Sequence, residues 1–283
     1  MSTQASYIKP KTVIEATALL ASGTTHILSG GTDFYPTLGD GFVQDAVLDI
    51  SGLDDFRGIK TEADHIRIGG LTTWTQIIRA PLPRCFDGLK NAAREVGSVQ
   101  IQNRGTVAGN LCNASPAADG VPPLLALDAE VELISQAGVR RMPLAEFIVG
   151  NRKTQRRPDE LLTAVLIPRE LEDAASAFVK LGARRYLVIS ISMVAVVVRV
   201  SDEGKVLTAR VAVGSCSAVA RRMLELESDL VGISIRDGLG TMVRPGHLAP
   251  LSPIDDVRAT GKYRMEASLR LVQRALNACV EKA

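Results

Sequence analysis

The feature that most constrains this 283-residue chain is a pair of adjacent glycines behind a short apolar run: Ile27 and Leu28, then Ser29, Gly30, Gly31, Thr32 and Asp33. Adjacent glycines reach backbone angles that other residues reach only at a cost, and they clear side chains from one wall of the turn. Successive N–H groups can then converge on one guest, an anion-binding concavity for which a pyrophosphate is the natural occupant. The same residues also make a plain turn between two elements. A second stretch has the same character. Residues 102–119 are polar and small and lie between apolar elements. Thr106, Asn110, Asn113 and Ser115 offer hydroxyl and amide groups, Gly105 and Gly109 let the backbone approach a ligand, and Asp119 can accept hydrogen bonds from ligand hydroxyls. A loop this long inside a compact domain usually has a function, although self-satisfied Asx turns also account for it. Together the two segments favour a long, polar, phosphorylated ligand. Neither fits the G-x-G-x-x-G dinucleotide fingerprint, and the chain has no G-x-x-x-x-G-K-[ST] phosphate loop. Another scaffold is therefore expected to bind the ligand.

The surrounding pattern suits such a scaffold. Thr12 and Glu15 have capping-box spacing, and Ala16, Leu19 and Leu20 give an apolar face, so a helix is predicted over 12–21, stopped by Gly23. Ile27 and Leu28 read as a strand, residues 33–38 as one helical turn ended at Gly39, Asp40 and Gly41, and residues 46–50 as a second strand. Residues 1–55 thus predict a small α/β unit with parallel pairing. Residues 65–70 alternate as a strand with a Gly-Gly stop, Thr72 or Thr73 caps a helix through Ile78, and residues 86–96 form a helix ended by Gly97. Residues 99–119 read as loop, 121–127 as a helix near Pro122, 130–134 as a strand, 147–158 as a basic loop, and 162–167 as a strand ending at Pro168. Beyond a boundary near 170 the character changes. Residues 177–181, 187–200 and 205–213 predict an antiparallel sheet, with a tight connection at Asp202, Glu203, Gly204 and Lys205. Residues 219–230 and 263–279 are helical by period.

Bulk composition excludes several classes. The net charge of +2 is too mild for nucleic acid as main partner, and 4% aromatic residues give no array of stacking platforms. Four cysteines, Cys85, Cys112, Cys216 and Cys279, lack metal spacing and suit a reducing cytoplasm. The first residues carry no signal-peptide pattern, and the longest apolar run, 187–198, is too short to span a bilayer, so no membrane insertion is expected. His26, His65 and His247 lie far apart; surface or core roles outweigh zinc or a catalytic triad. Cys112, inside the second stretch, reads as a small packed residue rather than a redox thiol. Arg152, Lys153, Arg156 and Arg157 form a basic run, read as a solvated loop before a docking surface.

Ser29-Gly30-Gly31-Thr32-Asp33, residues 104–111 (Arg-Gly-Thr-Val-Ala-Gly-Asn-Leu) and residues 115–129, which open Ser-Pro-Ala-Ala-Asp, resemble the FAD-binding subunit of molybdenum hydroxylases, the xanthine dehydrogenase and carbon monoxide dehydrogenase type. Residues 150–154, 158–168, 251–258 and Tyr263-Arg264 extend the likeness over nearly the whole chain. The resemblance implies an α+β protein: a two-subdomain vanillyl-alcohol-oxidase-type FAD-binding fold over 1–170 (subdomains about 1–55 and 56–170), then a C-terminal domain of antiparallel sheet plus helices over 171–283. It implies FAD in the cleft between the subdomains. Leu28, Ser29, Gly30, Gly31, Thr32, Asp33 and Phe34 would wrap the pyrophosphate through main-chain groups. Gly105, Thr106, Gly109 and Asn110 would hold the phosphate–ribityl region, Asn113 and Asp119 would reach hydroxyls, and Leu161 and Lys180 would touch the flavin end or the adenine side. The family commonly has a glycine where this chain has Ala108 and a hydroxyl residue where it has Ala118. Ala108 would be strained if its position needs a positive φ. A covalent flavin bond at His26 is conceivable in this fold, but noncovalent FAD is expected. No catalytic acid–base pair and no metal are expected in the chain itself. Molybdopterin and [2Fe-2S] clusters would sit in partner subunits, a molybdopterin-binding large subunit and an iron–sulfur subunit, in a cytoplasmic dimer of heterotrimers. Electrons would pass through this flavoprotein to NAD, a quinone or oxygen. A stand-alone FAD-dependent oxidase or reductase, and an assembly protein without flavin, are the competing readings.

Overall fold

The computed structural model describes residues 6–23, 25–39, 41, 43 and 45–281; Asp40 of the expected turn lies outside them. Helix α1 (Val13–Ser22) opens the chain. Thr12 Oγ1 accepts from Glu15 N at 3.2 Å, while the Glu15 carboxylate accepts from Lys11 N, one residue short of a reciprocal box. Strand β2 (Thr25–Leu28) pairs parallel with β3 (Ala46–Asp49), as expected, and a further strand not read from sequence, β1 (Tyr7–Ile8), pairs parallel on the other side of β3. The one-turn helix α2 (Phe34–Leu38) follows the glycine pair. Ala16, Leu20, Leu48, Ile50, Leu53 and Phe56 bury the inner side of this unit.

The second unit is a five-stranded antiparallel sheet. Strands β4 (Ile59–Thr61) and β5 (His65–Gly69) come before an insertion of helices. These are α3 (Trp74–Arg79), α4 (Asp87–Glu95), α5 (Val99–Arg104), α6 (Val107–Asn113) and α7 (Val121–Ala126). Strands β6 (Glu130–Ser135) and β7 (Gly138–Pro143), helix α8 (Leu144–Phe147), the hairpin β8 (Ile148–Gly150) with β9 (Lys153–Thr154), and β10 (Leu161–Pro168) complete it. The spatial order is β4-β5-β10-β6-β7. Thr73, not Thr72, caps α3, in a full capping box with Gln76; Thr72 is buried and donates to Gly58 O.

Two expectations fail here. Residues 99–119 are not a continuous loop, because they hold helices α5 and α6, each started by a hydroxyl cap. Ser98 closes the start of α5 and Thr106 that of α6, while Val107, Ala108 and Leu111 at helical spacing go into the core. The basic loop likewise contains the β8–β9 hairpin, turned at Asn151 and Arg152, with Arg152 at φ +54°.

The third unit is the sheet β11 (Ala175–Leu181), β12 (Ser192–Val200), β13 (Val206–Gly214) and β14 (Arg221–Arg222), antiparallel throughout, with α9 (Leu224–Leu230) and α10 (Gly261–Val280). The apolar run of β12 is explained by burial on both faces. Met193, Ala195 and Val197 join the core shared with α4 and α7, and Val194, Val196 and Val198 join the core under α10. The predicted strand start at 187 is too early: Leu187 has φ +52°, the Arg184 guanidinium holds the carbonyls of Tyr186 and Leu187, and Ser190 turns aside to Asp119. The predicted helix over 219–230 begins only at Leu224, because Arg221 and Arg222 pair with β13 and Arg222 is pinned by Asp128 and Glu227. Among the described residues no helix is long and apolar enough to cross a membrane.

Candidate functional site

A cleft of about 620 Å³ lies where the parallel unit meets the helical insertion of the second unit, within the size range of ligand sites. The two glycine segments form its walls and touch directly. Ser29 Oγ and Thr106 Oγ1 are 2.8 Å apart, and Thr106 Oγ1 also accepts from Gly109 N at 3.1 Å as the cap of α6. This approach needs Gly30: a Cβ there would stand 2.0 Å from Arg104 O. Gly31 has φ +74°, the left-handed region that glycine enters without strain. The peptide N–H groups of Gly30, Gly31, Thr32 and Asp33 find no backbone acceptor among the described residues. On the facing wall, Asn110 Oδ1 is buried with no partner among the described residues. Unpaired buried polar atoms are costly, so a polar ligand that satisfies them is favoured.

Of the residues expected from sequence, Ser29, Gly30, Gly31, Thr32, Asp33, Phe34, Gly105, Thr106, Gly109, Asn110, Asn113 and Leu161 all line this cleft. Leu28 does not; its side chain is buried beneath the turn, close under Gly31. Asp119 and Lys180 are absent from the lining and pair with each other. Lys180 Nζ donates to Asp119 Oδ2 at 2.7 Å, and Ser190 Oγ donates to Oδ1 at 2.7 Å. Burial pushes the Asp119 carboxyl above its usual range, against the pull of Lys180 and Ser190. Lys180 also reaches Glu95 O, next to Val96 of the cleft, and lies on a second cleft of about 490 Å³ with Arg94, Arg184 and Arg185. Ala108 sits inside α6 and is not among the positive-φ residues, so its position requires only smallness.

Sequence reasoning missed the third wall. Arg152, Thr154 and Arg156 from the hairpin line the cleft, and Arg152 Nη1 donates to both Asp33 Oδ2 (3.1 Å) and Asn113 Oδ1 (2.7 Å). The only signal in the sequence was the basic run itself, because Arg152 sits in the hairpin turn at φ +54° and Arg156 lies beyond the short strand of Lys153 and Thr154. Trp74, the sole tryptophan, contributes to the lining although 1% exposed. His26 also lines the cleft, edge-on to Phe34 and 3.2 Å from Asp45. Burial pushes the Cys112 thiol up to about 11, which disfavours a reactive thiolate at neutral pH. The lining of hydroxyls, amides, free peptide N–H groups and two guanidiniums, with Ile50, Leu161 and Leu162 as apolar floor, fits a large phosphorylated dinucleotide such as FAD.

Comparison with known proteins agrees. Residues 2–170 match the family model described as the FAD binding domain in molybdopterin dehydrogenase, and residues 177–279 match the CO dehydrogenase flavoprotein C-terminal domain. The chain is 38% identical to the nicotinate dehydrogenase FAD-subunit of Eubacterium barkeri, over 80% of this chain and 79% of that one. It is 30% identical to the putative xanthine dehydrogenase FAD-binding subunit of Escherichia coli, over 99% and 97%. Its fold superposes on a chain of the carbon monoxide dehydrogenase of Hydrogenophaga pseudoflava that lacks the Mo-pyranopterin moiety, with TM-score 0.89, 26% identity, and coverage of 100% and 99%.

Proposed function

The chain belongs to the FAD-binding flavoprotein family of the molybdopterin dehydrogenases, and from that premise we propose that the 620 Å³ cleft is its FAD site. The protein is the FAD-binding subunit of an oxidoreductase of the molybdenum hydroxylase family, with an FAD-binding domain and a C-terminal domain. The stand-alone oxidase reading is not favoured, since these relatives are named as subunits. When bound, FAD supplies the electron-carrying chemistry.

The chain's own residues bind and orient it. The free N–H groups at Gly30 to Asp33 and the main chain leading to Phe34 wrap the pyrophosphate. Gly105, Thr106, Gly109 and Asn110 hold the phosphate–ribityl region from the opposite wall, Asn110 Oδ1 taking up a hydroxyl, with Asn113 beside it. Leu161 and Leu162 exclude water from the floor. Asp119 and Lys180 border the flavin end through Glu95 and Val96. Leu28 acts by packing, setting the start of the turn. The observation that carries the reading is the Ser29–Thr106 contact, which brings two side-chain-poor segments 77 residues apart onto one cleft.

The finer architecture follows from the same likeness. The parallel and antiparallel units correspond to the two subdomains of a vanillyl-alcohol-oxidase-type fold, dividing near 55, with the C-terminal domain beginning near 170. An iron–sulfur subunit delivers electrons, a molybdopterin-binding large subunit oxidises the substrate, and the assembly is a cytoplasmic dimer of heterotrimers. The test uses the full chain stripped of flavin. FAD titration is expected to restore a yellow protein with one FAD per chain and to quench Trp74 emission by energy transfer. Unquenched emission together with a colourless protein after gel filtration overturns the assignment.

A further inference from the structure

We propose that Arg152 is a positioning residue that clasps the FAD cleft shut and sets how long FAD stays bound. Three contacts converge on this one residue. Its backbone N–H donates to Ala114 O at 3.0 Å, just past the last turn of α6. Its Nη1 donates to Asn113 Oδ1 at 2.7 Å on the same wall and to Asp33 Oδ2 at 3.1 Å on the opposite wall. The hairpin tip is thereby fixed to α6 by two bonds and reaches across to the first glycine segment by one ion pair. No other side chain of the basic run does this: Arg156 Nη1 is taken by the carbonyls of Arg157, Pro158 and Glu160.

The backbone supports a held position. Arg152 has φ +54°, a conformation non-glycine residues adopt at a cost and keep where the surroundings fix it. The Asn113 and Ala114 acceptors fix it here, next to Ala114, itself at φ +47°. The clasp lies at the surface, with 55% of the Arg152 and 49% of the Asp33 side chain exposed, so it can open and reclose without disturbing the core. A dinucleotide lodged between the walls leaves when they part, and parting them breaks the Arg152–Asp33 bond.

This inference rests on the cleft being the FAD site, and the experiment separates the two. FAD-loaded full-length protein is diluted, and release is followed as recovery of free FAD fluorescence for wild type, Asp33→Asn, Arg152→Gln and the double variant. Each single variant is expected to release FAD about threefold faster, the scale of an ion pair half exposed to solvent. The double variant is expected to release it no faster than Arg152→Gln, because both break one bridge. Arg152→Lys, whose ammonium can meet the same two oxygens, is expected to recover part of the residence time, and the thermal midpoint of the flavin-free protein is expected to stay unchanged. Wild-type release rates in the single variants, or effects that multiply in the double variant, overturn the clasp while leaving the FAD site intact; multiplying effects would mean separate contacts with FAD. If Arg152→Gln does not fold, Asp33→Asn alone decides by the same rate. Wild-type protein that takes up no FAD overturns the site assignment and the clasp together.

Discussion

The cleft and the C-terminal sheet solve opposite problems with the same polypeptide. Strand β12 carries Met193, Val194, Ala195, Val196, Val197 and Val198, each at most 2% exposed, and packs on both faces. Its cohesion comes from apolar area removed from water, which is non-directional and redundant. The cleft walls keep an open space of about 620 Å³ between them. They are joined by single directed contacts, Ser29 to Thr106 and Arg152 to Asp33, and by a glycine fitted against Arg104 O. A region that must admit a ligand cannot fill its centre with side chains. It is accurate and locally weak where the sheet is strong and tolerant.

Asp119 and Lys180 join the regions, so they break the comparison hardest. Asp119→Ala is expected to cost about 3–5 kcal/mol in urea unfolding, because it strands the Lys180 ammonium in a buried site. Adding Lys180→Met is expected to return part of that loss; an undiminished loss would show that the pair is not the joint. Leu276→Ala, in the core under α10, is expected to cost about 2–5 kcal/mol. FAD content in the surviving folded fraction should remain normal, and flavin loss there would contradict the separation of roles. Gly30→Ala should reverse this pattern. Its overpacking cost of about 1–3 kcal/mol falls on the walls of the cleft, so FAD stoichiometry should drop far more than the thermal midpoint. Thr106→Ala removes both a helix cap and the link to Ser29, for about 1 kcal/mol of stability and a measurably weaker FAD titration.

The smallest effect is set by pH and belongs to the C-terminal region alone. The backbone N–H of Arg258, then the Arg264 and Arg258 side chains, hold the Asp256 carboxyl down from 3.8 to about 2. A depressed folded-state value contributes stability that is full above 3.8 and lost as pH falls through 2. Acid unfolding followed by circular dichroism should therefore flatten in that window in Asp256→Asn, with no change in the slope above pH 5.

The sequence by itself determined many of the elements and much of the cleft lining. Adjacent glycines, a cap such as Thr12, and apolar periodicity are local signals, and they located α1, the parallel pair β2 and β3, the antiparallel sheet and the long C-terminal helix. The quoted motifs supplied the family, and twelve of the named site residues line one cleft. Tertiary structure decided what local signals leave degenerate. A polar residue reads alike as loop or as cap, which is why α5 and α6 were hidden behind Ser98 and Thr106. An arginine reads alike as solvated or as bridging, since only the fold places Asn113 and Asp33 on either side of Arg152. That Asp119 meets Lys180 and Ser190 could not be read from sequence, since they lie 61 and 71 residues away. Pairing across such distances is fixed by how whole sheets and helices pack, and no stretch of sequence carries that information on its own.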